Sequence, residues 1–67
     1  MKAALNLISE LDEQAIRDVH SGDIFRSSLK SLAEENGFPK SAGEYAHRFI
    51  RAHENVEFII AAYKHGV

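Results

Sequence analysis

His20, His47, His53 and His65, together with the Glu44-x-x-His47 pair, are the residues of this chain best suited to hold a metal ion. On a helix the Glu-x-x-His spacing puts both ligands on one face, as in carboxylate-bridged di-iron bundles, but such a site also takes carboxylates from other helices. His47 and His53 stand on opposite faces of a helix, and His53 with Glu57 has the i, i+4 spacing of a simple hydrogen bond. No metal and no cofactor is therefore expected. His65, beside Gly66 and with Lys64, suits the negative end of a helix dipole.

Nucleophilic chemistry has less to work with. There is no Cys and no glycine-rich phosphate loop, and Gly37 and Gly43 fall at helix ends. Ser27, Ser28 and Ser31 cluster as the polar face of one helix. An acid–base pair drawn from Asp12, Glu13, Glu34 and Glu35 has structural competition, because Asp12 and Glu13 suit a first helical turn. Glu34-Glu35 reads as a solvated pair or an electrostatic contact with a partner. A chain of this size scarcely encloses a substrate pocket of ~300 Å3, so no enzymatic activity is expected.

Binding chemistry is better supplied. Lys40, His47, Arg48 and Arg51 form a strip suited to phosphates or to an acidic protein surface. The stretch Leu32-Ala33-Glu34-Glu35-Asn36-Gly37-Phe38-Pro39-Lys40-Ser41 resembles the first helix and turn of a helix-turn-helix: Ala four residues before Gly, an apolar residue after it, and a second helix beyond. Gly43 and Tyr45 depart from the branched apolar residue that motif carries in its second helix. Pro39 crowds the turn, and Glu44 faces where a phosphate backbone would run. DNA binding through residues 32–51 is accordingly the second functional expectation.

The elements that must position these residues are helices. The chain has 67 residues, eight Lys+Arg against ten Asp+Glu, 45% hydrophobic residues and no Trp. That composition is one of a single globular domain over residues 1–67. A chain this short buries only about 60% of its unfolded surface, so tight packing or self-association must stabilise it. No apolar run reaches the ~18 residues of a membrane span, and residues 1–9 are too short and interrupted for an export signal. The expectation is a cytoplasmic protein with no membrane contact. Residues 1–36 carry a net charge of −3 and residues 37–67 a net +1, so a polyanion would meet the second half.

Strand patterning is absent. Asp12 with Glu13 reads as an N-cap and acidic first turn, with a Leu11–Ile16 staple, for a helix ending near Ser21-Gly22. Asp23 caps a further helix with Phe25, Leu29, Leu32 and Ala33 on one face, stopped at Asn36-Gly37. Ser41 and Glu44 fit a capping box. From there Tyr45, Phe49, Ala52, Val56, Ile59 and Tyr63 step by four and three, which predicts one long helix over about 42–65. Residues 2–20 read equally as one helix or two. The fold expected is an all-α bundle of three to four helices, closed by that long helix, with a helical hairpin around Gly37–Ser41.

Phe58-Ile59-Ile60-Ala61-Ala62-Tyr63 is apolar all round a helix axis, and such a helix must be covered all round. The primary functional expectation follows: a small non-enzymatic interaction module (a regulator, adaptor or inhibitor) forming a homodimer or a complex with another protein. Its interface would be Tyr45, Phe49, Val56, Phe58, Ile59, Ile60 and Tyr63.

Overall fold

The computed structural model describes residues 2–64 and holds, among them, five helices: α1 (Lys2–Glu10), α2 (Glu13–Ser21), α3 (Arg26–Glu35), α4 (Lys40–Ala52) and α5 (Val56–Lys64). The expected all-α class holds, while the helix count rises to five. His65 lies outside the described residues.

Local chemistry sets most of the boundaries. Asp12 ends the N-terminal stretch by capping α2, its Oδ1 accepting from the Ala15 amide at 2.7 Å; residues 2–20 are thus two helices. Leu11 and Ile16 are both buried in the core, as the staple requires. Two Schellman closures follow. At the end of α2 the Asp23 amide donates to Asp18 O at 2.8 Å, and at the end of α3 the Phe38 amide donates to Ala33 O at 2.9 Å. Each turns on a left-handed glycine, Gly22 at φ +94° and Gly37 at φ +83°, where a Cβ would be strained.

Three expected helix starts and stops differ. Phe25, not Asp23, stands at the N-cap of α3 and is 70% exposed, because Asp23 is taken up in the turn, its Oδ2 accepting from Ser21 Oγ at 3.0 Å. The Ser41–Glu44 capping box does not form: extended Pro39 opens α4 at Lys40, its carbonyl accepting from the Ala42 amide, so Ser41 is already helical. The hairpin connection is therefore Asn36 to Pro39. The long helix over 42–65 is broken at residues 53–55. His53 is extended (φ −75°, ψ 135°), and Asn55 Oδ1 caps α5 by accepting from the Glu57 amide at 3.0 Å.

Packing centres on α4, which touches α1, α2 and most extensively α3, while α5 lies across α2 and α1. The buried face of α4 is Ala42, Gly43, Ala46 and Ile50. These meet Leu29 and Ala33 of α3, Ala4, Leu7 and Ile8 of α1, Ile16 and Val19 of α2, and Ile59 and Ile60 of α5 in one core cluster that contains no buried polar residue among those described. The stripe Tyr45–Phe49–Ala52 is the flank of α4 rather than its core face. Small residues dominate that core face for a reason. A Cβ on Gly43 would stand 2.6 Å from Leu29 O and 2.7 Å from Lys30 Cα, both backbone atoms that cannot rotate aside.

Gly43→Ala is accordingly expected to destabilise the fold by about 1–3 kcal/mol despite its better helix propensity, because it forces α3 and α4 apart. Urea denaturation followed by circular dichroism measures this.

Candidate functional site

The turn after α4 fixes what its outer surface can present. His20 Nε2 donates to the His53 carbonyl at 2.8 Å, tying the end of α4 to α2, and His53 Nδ1 accepts from the Asn55 amide at 3.3 Å. The His53 ring lies between Phe49 and Phe58, with centroids 6.0 Å and 5.9 Å away. Tyr45 stands one turn before Phe49 on α4, so an aromatic ridge runs Tyr45, Phe49, His53, Phe58 along one side of the molecule. Phe49 is half-buried, whereas Tyr45 is 43% and Phe58 68% exposed.

The seven residues expected at an interface therefore divide. Tyr45 and Phe58 are exposed, and Phe49, Val56 and Tyr63 are partly buried against the core. Ile59 and Ile60 are buried to 2% and 1% exposure, with α5 packed on this chain's own α1 and α2. The break at residues 53–55 is the reason, since it folds α5 back over the amino-terminal helices. Two polar clamps hold it there. Arg17 bridges Glu57 at 2.7 Å and Glu13 at 3.0 Å, and Lys64 Nζ donates to the Ser9 carbonyl at 2.6 Å. The Glu57 hydrogen bond, then that of Glu13, raises the already high pKa of the Arg17 guanidinium. Glu57 is thereby engaged with Arg17 rather than with His53.

On the adjoining face of α4 an open groove of about 570 Å3 is lined by Arg26, Glu44, His47, Arg48, Arg51 and Ala52. Three of the four residues expected to meet a polyanion, His47, Arg48 and Arg51, come together here. Lys40 stands apart at the first turn of α4, exposed. Arg26 is the member the sequence did not single out; only the close packing of α3 on α4 brings it in. Its Nη1 lies 3.7 Å from Glu44 Oε1. Arg51 Nη1 donates to the His20 carbonyl, an otherwise open acceptor at the end of α2, and its guanidinium rests over Gly22. Glu44 and His47 thus share the groove, yet among the described residues no three His, Cys, Asp or Glu side chains are grouped to hold a metal ion.

Comparison with known proteins gives no match, whether to a family model, to a curated protein or to a solved structure. Among the described residues no helix is long and apolar enough to cross a membrane.

The two faces of α5 separate in a stability measurement. Ile60→Ala is expected to cost about 2–5 kcal/mol as a core truncation. Phe58→Ala is expected to change stability by only about 0.5 kcal/mol, as at an ordinary surface position. Thermal melts of both variants beside the parent check the contrast.

Proposed function

We propose that this chain is a small non-enzymatic binding module of the cytoplasm, which docks a protein partner through the aromatic ridge Tyr45–Phe49–His53–Phe58. The observation that carries this reading is Phe58: a large ring outside the core at 68% exposure, in tilted contact with the His53 ring, which in turn meets Phe49. Aromatic side chains on a rigid support lose little entropy on contact and dominate the energetics of protein interfaces. A partner that covers Phe58, Tyr45 and the exposed methyl of Ala52 removes from water the largest apolar side chains on this side of the molecule. A second copy of the chain is one such partner, with the ridge meeting itself across a two-fold axis.

A second reading has its own support. α3, the turn at residues 36–39 and α4 pack with the small-residue contact of a helix-turn-helix, and the outer face of α4 carries Lys40, Ser41, Tyr45 and Arg48. In this reading α4 approaches DNA. Glu44 opposes it, and Arg26 offsets part of that opposition.

Tyr45→Ala combined with Phe58→Ala separates the two. Sedimentation velocity at micromolar concentration, and affinity capture from the native cell with mass spectrometry, should register an association in the parent that the folded double variant lacks. A parent that sediments as a monomer and captures no protein absent from the double variant overturns the docking reading. Binding of a fluorescent duplex at low salt that is lost in Arg48→Ala and kept in the ridge variant establishes the DNA reading instead.

A further inference from the structure

The groove beside the ridge has a composition that the aromatic docking surface does not explain and that the DNA reading uses only in part. Its walls bring guanidinium groups from two helices: Arg26 at the first position of α3, and Arg48 and Arg51 from adjacent turns of α4. With Glu44 included, the lining carries a formal +2, to which His47 adds donor capacity. The three cations differ in what they already do. Arg51 spends one N–H on the His20 carbonyl and is steadied by that bond, leaving its other N–H groups unspent. Arg26 faces Glu44 at 3.7 Å, beyond hydrogen-bond range and with both side chains well exposed. Arg48 has no ion pair among the described residues.

We propose that this groove binds a phosphate group, and that Glu44 is a resident counter-charge which the phosphate displaces from Arg26. Guanidinium forks match phosphate oxygens in pairs, and a formal +2 meets the dianion of a phosphate monoester, or two neighbouring phosphodiesters of one charge each, where a single carboxylate would leave charge uncompensated. The loose Arg26–Glu44 pair is easily opened, since exposed pairs at such separation are weakly held. The groove is open and, at about 570 Å3, leaves room for whatever carries the phosphate: a small phosphorylated molecule or the backbone of a nucleic acid. The proposal stands on the groove itself and deepens the DNA reading without depending on the aromatic ridge.

The test uses two probes on the full chain at low ionic strength: inorganic pyrophosphate followed by NMR titration, and a fluorescent DNA duplex followed by anisotropy. The expected result is saturable binding of at least one probe, weakened about tenfold or more by Arg48→Ala, as befits loss of charge-assisted hydrogen bonds. Glu44→Gln is expected to tighten the same binding about two- to fivefold by removing the competing carboxylate. Lys2→Gln, which alters charge outside the groove, should leave it unchanged. Pyrophosphate binding without duplex binding upholds the groove, assigns it to a small phosphorylated ligand and removes the DNA reading. Duplex binding with the same mutational pattern upholds the groove with a nucleic acid as the source. The proposal is overturned if neither probe binds, if Lys2→Gln weakens binding as much as Arg48→Ala, or if Glu44→Gln leaves affinity unaltered. Retained amide dispersion in each variant certifies that the fold is intact.

Discussion

Because only a hydrogen atom at Gly43 separates α4 from the α3 backbone, the two helices approach more closely than any side chain would permit, and much of the remaining arrangement depends on that contact. α3 packs chiefly on α4, so its position is decided there. Close approach lets Leu29 and Ala33 complete the core beside Ala42 and Ala46, with small volumes on one helix answered by a branched residue on the other. It also decides the surface. Arg26 leads α3, and it reaches the groove on the outer side of α4 because the helix behind it lies against Gly43.

The features of the fold that sequence reveals are those whose physics is local. Asp12 caps its own helix within three residues, and Gly22 and Gly37 close theirs through backbone conformations that few other residues adopt. Asp23 and Ser41 carry equally plausible capping side chains, yet neither caps. In the first case the hydroxyl of Ser21 takes the carboxylate, and in the second Pro39 opens the helix two residues early. The break at residues 53–55 is less visible in the sequence. The apolar stripe continues across it at helical spacing, which masks Asn55 as the cap of a new helix with Glu57 in its first turn. What decides between one helix and two is the burial of Ile59 and Ile60 against α1 and α2. That energy depends on residues some forty to fifty positions away in the chain and is invisible to any local pattern.

The same distinction governs the candidate site. His47, Arg48 and Arg51 were legible because one turn of helix gathers them regardless of tertiary structure. Arg26 was not, since nothing in its neighbourhood announces that it faces α4. In the apolar segment 58–63 the two isoleucines are covered by the chain's own amino-terminal half, while Phe58 stays exposed. Once α5 turns back, the exposed remainder of the segment is Phe58 and Ala62, and Phe58 joins the rings of α4 through His53.

α4 consequently works in two capacities that cannot be altered independently. Its inner face of Ala42, Gly43, Ala46 and Ile50 joins α1, α2 and α3 into one core, and its outer surface divides between aromatic flank and cationic groove with Ala52 at the boundary. Among the described residues no polar or charged residue is buried in the core, so its specificity comes from shape, and the charged interactions are left to the exterior, where salt screens them. The close approach at Gly43 sets how the backbones of α3 and α4 lie, and with them the points from which Arg26 and Arg48 extend their exposed side chains. The arginines themselves are exposed at the surface, so packing places their backbones while Glu44 can swing away from Arg26 at little cost to the fold.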